Sequence, residues 1–145
     1  MSNYKTNVMR ILDKEKISYK AYSYDTGGDF IDGVSAAEKL DIPVEKMYKT
    51  LVAQGISKEY YVFIIPVAKE LDLKAASRAV CEKSIALIHV KDINKVTGYI
   101  RGGCSPIGMK KQYKTVIDAT SKQVERIVIS AGKIGYQIEL KPEEL

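Results

Sequence analysis

A glycine-rich stretch, Gly98 to Gly108 with the sequence GYIRGGCSPIG, has the composition of a binding loop. Glycine lets a ligand or a second backbone come close, and such a loop can direct several N–H groups toward one anion. Gly103 and Ser105 are therefore candidate substrate-binding residues for a phosphate, a carboxylate or a developing oxyanion. An ordinary connection between two strands is the alternative, and a glycine-rich loop alone favours that alternative.

Polar side chains also stand at the ends of two apolar strands. Lys49 and Thr50 open one of them, and Ser130 closes the other, IVIS, just before a second glycine turn at residues 131–135. Lys49 is either a solvent-facing strand end or a charge directed into a site. Thr50 is either a lining residue or an outward β-former, and Ser130 either a turn residue or a hydroxyl aimed into a site. Spacing alone leaves these alternatives open.

The motifs of side-chain catalysis are absent from the sequence. There is no G-x-S-x-G elbow, no P-loop and a single histidine, His89, in an apolar run that predicts a core or edge position. The two cysteines form no CxxC pair, so no metal site and no cofactor are indicated. Cys81 is expected to be a small buried hydrophobe, and Cys104 has no sequence neighbour that would lower its pKa. Catalysis must then come from positioning, backbone N–H donors and lysine, which limits the reaction to activated bonds such as esters of amino acids.

The length and charge of the chain set the class of protein. Its 145 residues fit one domain, 1–145, and the formal charge of +5 points mildly toward a polyanionic partner. No apolar run is long enough for a membrane span, and no leader pattern opens the chain. A cytoplasmic protein that binds no membrane is the expectation.

Hydrophobic spacing predicts the elements that must position these residues. The β-strand at 60–65 is apolar throughout and should be buried on both faces. Short strands interrupted by helices, without regular βαβ spacing, predict an α+β domain around a mixed or partly closed sheet. Helices are predicted at 4–16, 35–40, 44–48 and after an N-cap at Asp72, and strands at 17–24, 49–53, 60–65, 84–90, 113–118, 126–130 and 136–140.

Three separated segments together resemble one known family. YKTL at 48–51, GYIRGGCSPIG at 98–108 and VISAGKIGYQIEL at 128–140 are similar to the YbaK/EbsC family. These are free-standing aminoacyl-tRNA deacylases, related to the editing domain of bacterial prolyl-tRNA synthetases. The opening helix with ISYKAYSY, and LDLKAA at 71–76, resemble the family as well, so the likeness spans essentially the whole chain.

The resemblance implies a mixed β-barrel-like sheet with surrounding helices, and hydrolysis of the ester that joins a mischarged amino acid to tRNA, most often Cys-tRNA(Pro). It implies that Lys49 contacts the terminal phosphate or ribose of the tRNA, with Thr50 beside it and Tyr24 near the pocket. Gly102 matches the glycine whose backbone faces the scissile carbonyl, and Ser130 matches the serine of the second glycine turn. A deacylase that uses the substrate's own thiol needs no histidine. The implied partners are tRNA and, as a source of tRNA identity, prolyl-tRNA synthetase.

Some residues depart from the family pattern. Gln137 stands where many members carry aspartate, and Ala131 where glycine is frequent. Two other functions therefore stay open: a deacylase that prefers alanine or another small amino acid, and a non-catalytic module that binds tRNA or a synthetase.

Overall fold

The computed structural model describes residues 5–24, 33–100, 103–111 and 113–144. Four helices and seven strands lie in this part of the chain. The helices are α1 (Asn7–Lys14), α2 (Gly33–Leu40), α3 (Leu73–Ala79) and α4 (Ile93–Thr97). The strands are β1 (Lys20–Ser23), β2 (Tyr48–Gly55), β3 (Tyr60–Pro66), β4 (Ile85–Leu87), β5 (Lys114–Ile117), β6 (Ile127–Ser130) and β7 (Tyr136–Leu140).

A four-stranded sheet has the strand order β4-β2-β3-β5. The β2–β3 hairpin pairs Lys49 with Ile65 and Thr50 with Ile64, and β5 lies parallel to β3. Every residue of β3 after Tyr60 is buried. This confirms the prediction of a strand covered on both faces, because α3 packs on one side and the main core lies on the other.

A three-stranded antiparallel sheet has the order β1-β7-β6. Its inner face carries Ile127, Ile129, Ile138 and Leu140, which are fully buried against α1 and Tyr48. The two sheets meet at a parallel bridge between Met47 and Val128. The prediction of an α+β fold around a mixed sheet is confirmed, with the sheet divided into two parts that join at this bridge.

Helix α1 matches the amphipathic pattern from which it was predicted. Val8, Met9 and Leu12 are buried on one side, and the Thr6 hydroxyl caps the helix by accepting from the Met9 amide at 3.2 Å. None of the helices in the described ranges is long and apolar enough to cross a membrane.

Several expectations need correction. The helix expected at 44–48 is a 3-10 turn over Val44–Lys46, and Tyr48 already belongs to β2. Cys81 is exposed rather than buried, because α3 has already ended and the residue takes a left-handed conformation with φ of 59° just beyond the helix. The strand expected at 84–90 shortens to β4, since a 3-10 turn begins at Val90, and His89 is exposed before that turn. The strand expected at 17–24 shortens to Lys20–Ser23.

Candidate active site

The outer face of the three-stranded sheet carries polar residues, and we call it the polar face. Tyr22, Ser130, Gln137 and Glu139 belong to it, because Gln137 pairs with both Tyr22 and Ser130 and Glu139 lies two residues further along β7. Gln137 and Glu139 are only 6% and 8% exposed. Val128 shares this face, and Ala36 and Ala37 of α2 pack against it there. Burying polar groups is costly unless they are hydrogen-bonded or paired, so a sheet face that keeps several of them buried is a candidate functional site.

Lys49 lies beside one end of the polar face. Met47 bridges Val128 in parallel register, so Lys49, two residues on, reaches the level of Ser130 on the same side. Lys49 is half-buried, and among the described residues it forms no hydrogen bond or salt bridge. An ammonium group held in this way is available to a phosphate or another anion on a ligand.

Thr50 points to the opposite side of β2, because successive residues of a strand face opposite ways. Its neighbours on that side, Tyr48 and Val52, pack in clusters that include Tyr99 and Cys104 of the glycine loop. Thr50 therefore lies beneath this loop rather than beside Lys49. Its Oγ1 atom is buried and has no hydrogen-bond partner among the residues that the structure describes.

The two glycine segments touch each other. A Cβ added to Gly103 would lie 3.1 Å from the Ile134 amide nitrogen, so any larger residue would require one of the two segments to shift by a few tenths of an ångström. Tyr99 links the segments further, since its ring lies against Gly132 and its hydroxyl donates to the Ile107 carbonyl. The Gly103 amide donates to the Ile100 carbonyl at 3.0 Å. This amide is therefore used inside the loop, and close packing is what the structure assigns to Gly103.

Ser130 and Tyr24 lie on either side of the second glycine turn. The Ser130 hydroxyl accepts from the Gly132 amide at 3.2 Å, and the Tyr24 amide donates to the Gly135 carbonyl at 2.9 Å. The Tyr24 ring packs in the cluster that contains Met47 and Val128. Contacts and register thus gather Tyr24, Lys49, Gly103 and Ser130 around the second glycine turn, and we call these four residues the candidate site.

Other predicted residues stand apart from this group. Ser105 is fully buried, and its hydroxyl accepts from the Ile107 amide at 3.3 Å, which gives it a role in shaping the loop. Gly102 lies outside the described residues. Burial raises the pKa of the Cys104 thiol to about 11, so this group is neutral near pH 7 and poorly suited to act as a nucleophile. No cluster of three metal-ligating side chains occurs within the described ranges.

An ion pair that the sequence analysis missed lies on the polar face. Lys46 Nζ is 2.6 Å from Glu139 Oε2, and the Tyr22 hydroxyl donates to Glu139 Oε1 at 2.6 Å. The available signal was the alternation of Gln137 and Glu139 with apolar residues in the last strand, YQIEL. Burial raises the pKa of Glu139, but the hydrogen bonds from Lys46 and Tyr22 outweigh burial and leave this pKa below its usual value.

The family of the chain follows from a comparison with known protein families. Residues 32–145 match the model of the aminoacyl-tRNA editing domain, which is most of the chain and includes Lys49, both glycine segments and Ser130. The chain belongs to the aminoacyl-tRNA editing domain family. The resemblance inferred from the three motifs is therefore confirmed.

Individual relatives agree with this family. This chain is 45% identical over 141 residues to a protein of Enterococcus faecalis (strain ATCC 700802 / V583), a match that covers 97% of this chain and 86% of the relative. That relative carries the provisional name Cys-tRNA(Pro)/Cys-tRNA(Cys) deacylase EbsC. A proline–tRNA ligase of Lactobacillus acidophilus (strain ATCC 700396 / NCK56 / N2 / NCFM) is 24% identical over 103 residues, which cover 71% of this chain and 18% of the ligase.

A solved structure supports the fold. It is described as a provisional trans-editing enzyme for prolyl-tRNA synthetase, and it superimposes with a TM-score of 0.81 over 98% of this chain and 90% of its own. The sequence identity is 19%, so this likeness concerns the fold alone.

Proposed function

We propose that this editing domain is a deacylase that hydrolyses the ester of mischarged tRNA, with Cys-tRNA(Pro) as the first substrate. The proposal is carried by Lys49, which is half-buried, has no partner among the described residues and, by the register of the Met47–Val128 bridge, lies level with Ser130 at the start of the second glycine turn. Family membership and the 45% identity to the Enterococcus protein support the substrate class.

Lys49 binds the phosphate or ribose end of the terminal adenosine, and Tyr24 and Ser130 line the site beside it. A cationic group on a rigid strand fixes the position of the ester, and positioning is the main contribution that a site without a histidine base can make. The Gly103 amide is bonded to Ile100, so oxyanion stabilisation by this loop depends on the backbone of Gly102.

The substrate's own thiol supplies the nucleophile when the amino acid is cysteine. Its thiolate attacks the ester carbonyl, the bond from the carbonyl carbon to the ribose oxygen breaks, and that oxygen takes up a proton. Water then opens the resulting cyclic thioester to give free cysteine. Such a path requires no protein nucleophile, which agrees with the buried Cys104 thiol.

The proposed setting is trans-editing in the cytoplasm, without a metal ion. The synthetase that makes the error discriminates poorly between small side chains, since one methylene is worth only about 1–3 kcal/mol. A second site is then needed to remove the wrong product. Prolyl-tRNA synthetase is the proposed partner, because two of its bacterial forms contain a related segment.

The test is a deacylation panel with Cys-, Ala- and Ser-tRNA(Pro). We expect loss of the Cys ester first, and Lys49→Ala should lower its rate about tenfold or more, as removal of one charge-assisted contact would. Lys58→Ala is the matched control, because Lys58 is an exposed lysine in the turn at the other end of the same hairpin.

Two outcomes would contradict the proposal in different ways. A retained Cys ester with loss of the Ala ester would reverse the substrate order. Tight tRNA binding without hydrolysis of any ester would support the binding-module alternative, which Gln137 in place of the family's aspartate keeps open.

A further inference from the structure

The carboxylate of Glu139 joins three elements on the polar face. Glu139 lies on β7, its Oε1 atom accepts from Tyr22 of β1, and its Oε2 atom binds Lys46 in the 3-10 turn that precedes β2. The Glu139 side chain is 10% exposed and that of Lys46 is 33% exposed. The carboxylate thus uses both oxygens to hold two different segments of the chain.

Each of these segments leads directly to a residue of the candidate site. Lys46 is followed by Met47, which bridges β6, and Lys49 comes two residues after Met47. Tyr22 lies on β1, two residues before Tyr24, which follows the end of this strand. Glu139 itself pairs with Val128, two residues before Ser130. Tyr24 and Lys49 are therefore each only a few residues from a group that this carboxylate holds, and Ser130 is two residues from the strand partner of Glu139.

Stability alone is a weak reason for such an arrangement. A buried ion pair loses the hydration of both charges. Replacing such a pair by apolar residues of similar size often leaves the free energy of unfolding unchanged or raises it. An ion pair differs from apolar packing in its fixed geometry, with short directed hydrogen bonds that allow one arrangement. The hydrogen bonds from Lys46 and Tyr22 lower the pKa of Glu139 despite its burial, so the carboxylate is ionised at neutral pH.

We propose that Lys46, Glu139 and Tyr22 form a positioning network that sets Lys49 and Tyr24 against the second glycine turn. The inference rests on the proposed function for its effect on catalysis. It assigns these three residues no contact with substrate, because they act through the segments that carry the site.

The first experiment measures kcat and KM for Cys-tRNA(Pro) in Glu139→Gln, which keeps the size of the side chain and removes its charge. We expect kcat to fall about ten- to hundredfold, as small misplacements in an active site do, with little change in KM. Lys5→Met is the matched control, because it breaks the exposed ion pair of Lys5 with Asp13 on α1. In a Lys49→Ala background, Glu139→Gln should have little further effect on kcat.

An apolar replacement separates positioning from stability. The triple variant Tyr22→Phe, Lys46→Met, Glu139→Leu removes all charges and hydroxyls of the network together. We expect its melting temperature to return to that of the wild type or higher, while kcat stays low. If the triple variant recovered both the wild-type melting temperature and the wild-type kcat, the proposal would be overturned, since the network would then be only a packing element.

Hydrogen exchange gives a readout that does not depend on activity. In Glu139→Gln, amide exchange should accelerate at residues 22–24 and 47–50 and stay unchanged in α3, which packs on the other sheet. Unchanged exchange at 47–50 would overturn the proposal. An inactive wild type with accelerated exchange in the variant would instead overturn the deacylase function and leave the positioning role supported.

Discussion

At the scale of single residues, two polar groups have opposite environments. Lys49 is half-buried with no partner in the described part of the chain, on the side of β2 that faces Ser130. Thr50 is its neighbour in sequence but lies on the other side, where its Oγ1 atom is buried beneath the glycine loop. The YKTL motif thus provides Lys49 to the candidate site and Thr50 to the support of the loop.

Thr50→Val tests the buried Thr50 hydroxyl, which has no partner in the described part of the chain. A buried hydroxyl without a partner costs about 1–3 kcal/mol, so its isosteric removal should raise the free energy of unfolding by about 1 kcal/mol. If the loop uses this hydroxyl when substrate binds, deacylation should fall at the same time. Denaturant unfolding and single-turnover rates measure the two effects, and Thr50→Ser is the control that keeps the hydroxyl. A variant that is less stable than the wild type would show that the hydroxyl is paired in solution.

Cys104 provides a prediction about the nucleophile. Its thiol has a pKa raised to about 11 by burial, whereas Cys81 is exposed. At neutral pH, iodoacetamide should therefore label Cys81 in the folded protein and leave Cys104 unmodified, with mass spectrometry as the readout. Cys104→Ala should retain its rate on Cys-tRNA(Pro). A strong loss of rate in a folded Cys104→Ala protein would mean that the thiol contacts the substrate.

At the scale of elements, the second glycine turn joins the parts of the site. Gly132 has φ of 93°, and a Cβ there would lie 3.0 Å from Val8 of α1 and 3.1 Å from the Tyr99 ring. The turn is thus packed between the first helix and the glycine loop. Any side chain on Gly132 must displace the tyrosine that holds this loop.

Gly132→Ala and Gly98→Ala form a matched pair at this scale. Both glycines have positive φ, which costs a residue with a Cβ about 1–2 kcal/mol. Alanine at Gly98 would meet only the flexible Lys110 side chain, whereas alanine at Gly132 also overpacks the core, at about 1–3 kcal/mol more. Thermal unfolding should show the larger loss for Gly132→Ala, and only this variant should lose deacylation. Equal losses would mean that Tyr99 moves aside freely.

Local sequence signals predicted the helices and strands. They could not predict which strands that are distant in the sequence lie next to each other. The β2–β3 hairpin was evident because both strands and their turn lie in one continuous segment. The bridge from Met47 to Val128 joins residues far apart in the chain, so the proximity of Lys49 to Ser130 could be reached only through the family resemblance. Glu139 gave no strong signal because one acidic residue in a strand usually faces solvent. Cys81 was misplaced because helical periodicity does not show the residue at which a helix ends.

At the scale of the whole molecule, positive charge lies next to the glycine loop. The chain has a formal charge of +5, and Lys111 and Lys114 are exposed just beyond the loop. Both lysines line a surface groove of about 700 Å³ together with Pro106 and Tyr113. We expect this groove to bind phosphates of a tRNA, because lysines that neutralise phosphates release counterions.

Salt dependence tests this distribution of charge. Raising salt from about 50 to about 200 mM should increase KM for Cys-tRNA(Pro) steeply and leave kcat nearly constant, since the ester itself is uncharged and the phosphates are screened. Each phosphate contact contributes about 0.7–0.9 to the slope of log affinity against log salt. Lys111→Gln with Lys114→Gln should therefore flatten the slope by about 1.5. Lys58→Gln with Lys74→Gln, at exposed positions in the hairpin turn and on α3, should leave it unchanged. Equal flattening by both pairs would mean that tRNA responds to net charge alone and that the lysines beyond the glycine loop do not guide it.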